Sequence, residues 1–547
     1  MRGRVLSARG GIGLALLAVL LVVPALAQQG TTISIVGSPR PVGLSDVLQR
    51  GRRLESERRW GEALTHYEES LRQYPGEGGL QQRFDAMRLH YDLGRRYADR
   101  SFCDSLSQLP AAKALELYAQ VLLKIQSHYV ETPNWKELVE HGTEELEVAL
   151  SEPLFLERNL PEGDRVAIEE FRRQLRSVLG SRVIATRNDA RDAAAIATQL
   201  AQQRLQIPPT AVVLEYLCGA TNALDPYSTY LTADQLSEAY AQIEGNFVGL
   251  GVELKAQSDA LLIVRVIAGS PAEVCGMRPG DQILAVDGRS TREFSTDQAA
   301  NLLQGEEGTV VRLTVVTPGQ QPRQLSVRRQ RVEVPSIDQA EILDTQRGIA
   351  YLRLACFQKT TARDLDAALW RLHREGMRSL IIDLRGNPGG LLVAAVDVAD
   401  RFLDRGIIVS TRGRSIQEDL TYAAHGERVW RTPLVLLIDQ YSASAAEIFA
   451  GAIRDHRRGT IVGTRSYGKG YVQGIFPLEI GNTGLKLTTA RFYSPSGRPY
   501  NNLGVEPDVL VQVAARPVDG QIRFPNAAED SMLAAALKTA QNSLQQR

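Results

Sequence analysis

Ser444 and Lys469 are of the types needed for hydrolytic chemistry. A serine hydroxyl attacks a carbonyl when a base takes its proton, and a lysine is such a base once burial lowers its pKa from ~10.4 to about 7–8. Each pH unit of that change costs about 1.4 kcal/mol, so the lysine needs an apolar pocket. Ile461, Val462, Tyr467, Tyr471 and Val472 are close enough in sequence to wall it in. Ser444 stands where the apolar run Leu434 to Asp439 gives way, through Gln440 to Ala443, to a helical run starting at Ala445. That junction exposes the hydroxyl and puts the Ala445 amide at the positive end of a helix, where it can hold an oxyanion. If Gly470 to Ile475 is extended, Lys469, Tyr471 and Gln473 share one face, and Gln473 can orient the amine by hydrogen bonding. The turn Gly386-Asn387-Pro388-Gly389-Gly390 suits a second oxyanion donor, because an amide approaches a tetrahedral intermediate closely only where no Cβ intrudes.

Each of these features also has a plainer account. Ser444 and Glu447 make a Ser-x-x-Glu capping box, Lys469 fits a solvated turn between glycines, and the glycine turn fits an ordinary strand-to-helix connection. Two other chemistries compete. Gly463 to Lys469 has the G-x-x-x-x-G-K spacing of a phosphate loop, but Gly470 occupies the Ser/Thr position and a strand pattern follows where a helix is needed. Asp383, His425 and Ser444 lie in a chain order that a histidine triad can use, although His425 sits in the polar stretch Tyr422 to Glu427, which reads as a surface loop.

These residues are carried by an alternating segment. From Gly348 the pattern predicts strand Ile349–Leu354, helix Ala362–Glu375, strand Ser379–Leu384, helix Leu391–Leu403, strand Leu434–Asp439, helix Ala445–Asp455 and strand Thr460–Gly463. Such alternation argues a sheet with parallel pairs and sites at the carboxyl ends of its strands. Before it, Asn246–Leu254, Leu261–Ile267, Gln282–Val286, Thr309–Val316 and Gln324–Val332 read as short strands of a compact unit. Two short helices separate them, one after Ser270-Pro271 and one starting at the capping box Ser295 to Gln298. From about Leu44 to Asn222 apolar residues recur at helical spacing, as in Ala114, Leu117, Val121, Leu122 and Ile125. Gly51, Ala63, Tyr67, Ser70 and Pro75 fall at offsets resembling a single tetratricopeptide repeat.

The whole chain sets outer bounds. At 547 residues it is too long for one core, and three domains or so are expected. With 63 basic and 63 acidic residues and no long single-sign run, nothing points to a nucleic-acid partner. Arg2 and Arg4 precede an apolar run from Gly11 to Val23, and Ala25-Leu26-Ala27 has the small-x-small form of a cleavage site, so residues 1–27 are expected to be a signal peptide. Export to a periplasm or to the medium follows, with a membrane tether if the segment stays uncleaved. Cys103, Cys218, Cys275 and Cys356 lie far apart without metal-site spacing, which suggests small buried residues and leaves one disulfide open in an oxidising compartment.

A set of ordered motifs covers roughly Val213 to Val513. They are Leu-Asp-Pro-Tyr-Ser-Thr-Tyr-Leu at 224–231, Phe-Val-Gly-Leu-Gly at 247–251, Ser-Pro-Ala-Glu at 270–273, Arg-Pro-Gly-Asp-Gln-Ile-Leu at 278–284, Asp-Leu-Arg-Gly-Asn-Pro-Gly-Gly at 383–390, Ser-Ala-Ser-Ala at 442–445, Tyr-Gly-Lys-Gly at 467–470 and Tyr-Ser-Pro-Ser-Gly at 493–497. Together, in this order, they resemble the carboxyl-terminal processing peptidases, or tail-specific proteases. The resemblance implies Ser444 as nucleophile, Lys469 as base, Gln473 as its positioner and Gly390 with Ala445 as oxyanion donors, with no metal or organic cofactor. It also implies a PDZ domain in which Phe247, Gly249, Leu250 and Gly251 receive the free, apolar carboxyl end of a protein or peptide substrate.

The expected fold is therefore an α/β protease core with a mixed sheet and βα units, an inserted small PDZ-like β/α domain and an all-helical N-terminal region. The expected divisions are 28–205 for the helical region, 206–243 for a helical preface, 244–333 for the PDZ-like domain, 334–515 for the core and 516–547 for a helical tail. The task of the helical region stays open between docking of a protein adaptor, dimer formation and a spacer from the membrane, with the repeat-like segment favouring docking. The competing function is a catalytically silent scaffold that binds protein tails.

Overall fold

A computed structural model describes residues 43–74, 76–161, 163–256, 260–291, 302–427, 429–511 and 530–545. The expected signal segment 1–27, Pro75 of the repeat-like pattern, and the capping box Ser295 to Gln298 lie outside the described residues. Among the described residues, no helix is long and apolar enough to cross a membrane. All four cysteines are unpaired.

The N-terminal region is helical. Helices α1 (Leu44–Ser56) and α2 (Trp60–Gln73) pack against each other at Gly51, where a Cβ would lie 2.1 Å from the Tyr67 hydroxyl. Helix α3 (Gly78–Ala98) leads into α4 (Arg100–Gln108), α5 (Ala111–His128), α6 (Trp135–Ala149), α7 (Pro153–Asn159), α8 (Arg165–Gly180), α9 (Arg187–Leu205) and α10 (Pro209–Asn222). Helix α10 is apolar on nearly every side and buried from Thr210 to Thr221, as a central bundle helix must be. It meets α6 at a glycine pair: a Cβ on Gly219 would stand 2.6 Å from the Gly142 Cα.

After β1 (Thr229–Leu231) and α11 (Ala233–Glu244), the chain enters the small β/α unit through β2 (Asn246–Gly249) and leaves it through β9 (Gln330–Glu333). These two strands pair antiparallel as a separate two-stranded stalk. Between them, β3 (Val252–Ala256), β4 (Leu261–Val266), α12 (Pro271–Val274), β5 (Gln282–Val286), β6 (Arg289–Ser290), β7 (Val310–Val316) and β8 (Arg323–Arg328) enclose a core that includes Leu261, Ile263, Ile283, Leu313 and Val327. The runs expected as single strands at 246–254 and 324–332 are each split by the stalk. At the first break Gly251 has φ +83°, and a Cβ there would lie 2.2 Å from the Ser270 Cβ, so the chain turns where only glycine fits.

The core sheet runs β10 (Ile337–Asp344), β11 (Ile349–Leu354), β12 (Ser379–Asp383), β15 (Leu434–Ile438), β16 (Thr460–Gly463) and β19 (Val509–Leu510). All neighbours are parallel except the β10–β11 pair. Its inner strands β12 and β15 read as near-continuous apolar runs because both faces are covered. Leu380, Ile382, Leu436 and Ile438 face α13 (Thr361–Arg374), α14 (Leu392–Asp400) and α15 (Ala445–Asp455), whereas Ile381, Val435 and Leu437 face the C-terminal α16 (Ser531–Gln545). Observed ends match the expected ones to about a residue, except that α14 stops at Asp400.

A second sheet was not expected. It joins β1, β13 (Ile407–Gly413), β14 (Thr421–Ala423), β17 (Tyr471–Pro477) and β18 (Gly484–Tyr493), with β18 pairing β1, β13 and β17. Leu485 and Leu487 of β18 join the helical bundle's apolar cluster. The Tyr129 hydroxyl donates to the Leu224 carbonyl at 2.6 Å, and the Val130 amide to the Thr488 carbonyl at 2.9 Å, so the bundle supports the strand that lies behind the site.

Gly219→Ala is expected to destabilise the bundle by about 1–3 kcal/mol, because α6 and α10 must separate to admit the methyl group. A lower urea midpoint at unchanged slope is the measurement that checks it.

Candidate active site

The described site begins at the carboxyl ends of β12 and β15, where two loops are stitched together. The Ala443 amide donates to the Asn387 carbonyl at 2.9 Å, the Gly386 amide to Asp439 at 3.0 Å, and the Ser442 hydroxyl to the Leu384 carbonyl at 2.8 Å. Ser442 is thereby committed to structure. Ser444 follows with φ 64° and ψ −114°, a conformation that costs a non-glycine residue roughly 1–3 kcal/mol and persists only where its surroundings impose it. What imposes it here is α15, whose residues Ala445 to Ile453 are all buried. Ser444 itself is fully buried, and its Oγ has no hydrogen-bond partner among the described residues.

Glu447 does more than cap the helix. Its Oε2 accepts the Ser444 amide at 2.7 Å and the Lys469 amide at 2.9 Å, while Oε1 accepts the Ser466 hydroxyl at 2.6 Å and the Gly468 amide at 2.7 Å. One carboxylate oxygen therefore holds the serine and lysine segments within two hydrogen-bond lengths of each other. Burial pushes this carboxyl up to about 7, against four hydrogen bonds that favour the carboxylate.

Lys469 is 2% exposed. Burial lowers its amine from 10.5 to about 7, helped by the charge of Lys486 and opposed by Asp225 and Glu447. The expected apolar wall differs. Tyr467 is 58% exposed, and Ile461 and Val462 point into the two opposite cores of the sheet, because successive strand residues alternate faces. The amine instead lies over the ring of Tyr227, 4.6 Å from its centroid. Tyr227 is held by a turn in which Asp225 accepts the amides of Tyr227 and Ser228 at 2.7 and 2.8 Å.

Gln473 is fully buried at a β-bulge, where Val472 pairs with Ala490 but Gln473 with Thr488. Its Nε2 reaches the Thr488 hydroxyl at 3.5 Å, and its Oε1 has no partner among the described residues. The expected hydrogen bond from the Lys469 amine to Gln473 is thus not made in this structure.

The glycine turn lies against Ser444: a Cβ on Gly389 would be 2.8 Å from the Ser444 Cβ and 3.0 Å from the Ala445 amide nitrogen. The Gly389 amide donates to Asn387 Oδ1 at 2.8 Å. A parallel bridge joins Phe357 to Gly390, with Phe357 donating to the Gly389 carbonyl and accepting from the Leu391 amide, both at 2.8 Å. That pattern directs the Gly390 amide away from Phe357. Ala445 is the first residue of α15, whose amide has no intrahelical carbonyl to bond.

The rivals are not assembled. Asp383 is bound by Arg385 at 2.6 Å and by the Tyr351 hydroxyl at 2.8 Å, while His425 is half-exposed and sits 3.1 Å from Asp400. Gly463 to Lys469 leads into strand β17 rather than a helix. In the β/α unit, Phe247 and Gly249 lie on stalk strand β2, and Leu250 and Gly251 form the break that follows, where the Leu250 carbonyl accepts the Ala272 amide at 2.9 Å. Sequence reasoning missed the clamp role of Glu447, the Tyr227 platform and Lys486. Tyr227 stood within a recognised motif, but its position over an amine depends on a turn distant in sequence.

Residues 348–511 match the model of peptidase family S41, and residues 262–317 match a PDZ domain. The chain is 36% identical over 317 residues to a carboxy-terminal-processing protease of Bartonella bacilliformis, covering 57% of this chain and 72% of that protein. It is 35% identical over 293 residues to a carboxyl-terminal-processing protease of Synechocystis, covering 53% and 68%. Among solved structures, a photosystem II D1 C-terminal processing protease aligns at 25% identity with a TM-score of 0.41, over 77% of this chain and 97% of that one.

A lysine held at about 7 instead of 10.5 costs the fold on the order of 4 kcal/mol at neutral pH. The unfolded chain binds the extra proton between those values, so the cost is full below pH 7 and fades as pH rises toward 10.5. Lys469→Met is expected to raise the urea midpoint at pH 7, with the gain shrinking by pH 10.

Proposed function

The chain belongs to the S41 carboxyl-terminal processing proteases, and from that premise we propose that it is an exported serine endopeptidase in which Ser444 is the nucleophile and Lys469 the general base. The observation that carries this reading is the buried Lys469 amine, lowered to about 7 and tied through Glu447 to the Ser444 segment. A protease with a PDZ domain binds protein or peptide substrates; that the preferred tails are apolar, and that an adaptor docks on the helical region, are parts of this proposal. So is export, which rests on residues 1–27.

In the proposed reaction, neutral Lys469 takes the Ser444 proton as Oγ attacks the scissile carbonyl. The amides of Gly390 and Ala445 receive the oxyanion. Lys469 then returns the proton to the leaving amine, and water, activated by the same lysine, hydrolyses the acyl-enzyme. In this reading Gln473, whose Oε1 has no hydrogen-bond partner among the described residues, orients the amine by accepting a hydrogen bond from it during the reaction. The unpartnered Ser444 Oγ corresponds to a resting arrangement that substrate docking brings into line. Tail capture by the Phe247 to Gly251 segment precedes cleavage upstream.

The silent-scaffold reading is disfavoured by Lys469 itself, since a binding module gains nothing from burying an amine at this cost. The test uses full-length protein, a loosely folded substrate with an apolar carboxyl end, and single variants. Ser444→Ala and Lys469→Ala are each expected to lower kcat/KM at least about a thousandfold, while His425→Ala leaves it unchanged. Cleavage that survives Lys469→Ala but disappears in His425→Ala would overturn the dyad, and inactivity of the parent toward a broad panel of tails would favour the scaffold.

A further inference from the structure

One buried ionisable group near the site has no part in the reaction as described. Lys486, on β18, is 6% exposed, and the charge that acts on its amine is that of Asp225. It opposes Ile475 on β17 and Thr229 on β1. No irregularity interrupts the register from Lys486 to Thr488, so the two side chains share a face. Thr488 is the residue that opposes Gln473 and meets its Nε2, and its amide donates to the Ser228 hydroxyl at 3.2 Å. The same face is therefore the one that looks toward Gln473, the Asp225–Ser228 turn and the Tyr227 ring beneath the Lys469 amine.

The charges around this space are few. Lys469 feels Lys486, Asp225 and Glu447, and Lys486 feels Asp225. The Asp225 carboxylate is occupied by the turn, accepting the Tyr227 and Ser228 amides and the Ser228 hydroxyl at 2.9 Å. Glu447 is occupied by its four donors. The hydroxyls of Tyr227 and Tyr129 border the turn and, raised by burial, stay neutral across the working range. A buried cation kept for stability would be expected to have a contact ion pair, because leaving it unpaired is costly. Lys486 has none among the described residues, so its field reaches the neighbouring amine.

We propose that Lys486 is an electrostatic positioning residue for the hydrolytic reaction: its buried positive charge, facing the Lys469 amine across the Asp225 turn, disfavours protonation there and keeps Lys469 in its proton-accepting form. This deepens the Ser444–Lys469 reading and rests on it. Burial lowers the Lys486 amine from 10.5 to about 8, above the about 7 of Lys469. As pH rises, Lys469 gives up its proton first, beside a Lys486 that is still charged. Lys486 touches neither substrate nor the reacting atoms and acts only through Lys469.

The test follows the pH dependence of Ser444 labelling by a fluorophosphonate in the full-length protein, together with kcat/KM for the protein substrate. In Lys486→Met and Lys486→Gln the acidic limb moves up by about one pH unit while the alkaline plateau stays within about threefold of the parent. Lys486→Arg keeps the charge and the parent's limb. A folded Lys486→Met with an unmoved limb, or with activity lowered equally at every pH, overturns the proposal. Should the neutral variants fail to fold, isotope-labelled lysine NMR of the parent decides: Lys486 releasing its proton before Lys469 overturns it. Labelling that survives Lys469→Ala overturns the dyad and this role together, whereas loss in Lys469→Ala with an unmoved limb overturns the Lys486 role alone.

Discussion

The Glu447 carboxylate, itself buried on the first turn of a buried helix, is where the two chemical halves of the site are joined. The serine loop after β15 and the lysine loop before β17 serve different sheets, and beside this carboxylate they are joined by the Tyr467 amide, which donates to the Ser442 carbonyl at 3.0 Å. One oxygen binds the backbone of both residues, and the other fixes Ser466 and Gly468 behind the lysine. Backbone donors are suited to this task, since they place the chain without competing for the lysine amine. The arrangement requires an ionised carboxylate in a buried position, which is why it gathers four donors.

Around that clamp, strain and close approach set the shape of the site. Ser444 occupies a left-handed conformation at a strand-to-helix turn, and Gly389 and Gly390 pass so close to it and to Phe357 that side chains are excluded. The stalk of the PDZ domain ends nearby: the Val334 amide donates to the Gly245 carbonyl, and the Ser336 hydroxyl meets Gln358, the neighbour of the residue that bridges Gly390. On the opposite face, Asp530, the residue before α16, binds Arg385 at 2.7 Å just before the glycine turn. The site is thus held from three directions by elements far apart in sequence.

Much of this was legible in the chain. The buried strands of the core are uninterrupted apolar runs, and the helices between them carry clear periodicity, so Ile349–Leu354, Ala445–Asp455 and Thr460–Gly463 end where the pattern places them. Ser444, Lys469 and the glycine turn stand out by type and spacing at the ends of those elements. The second sheet was not legible, because β18 is central and antiparallel, with one face against the helical bundle and the other against the site, so Gly484–Tyr493 alternates apolar and polar residues without the surface this usually marks. The walls of the lysine pocket were misassigned for a related reason: sequence neighbours such as Tyr467 and Ile461 were assumed to be spatial ones.

The sequence by itself determined the residue types that hydrolysis requires, their order along the chain and the local elements that present them, because hydrophobic period, glycine turns and helix starts are local properties. Only the tertiary structure decided what surrounds the lysine: Tyr227 beneath its amine, Glu447 bound to its backbone and Lys486 facing it from β18. A proton affinity depends on burial and on charges within a few ångströms, and those distances are set by how separate segments pack.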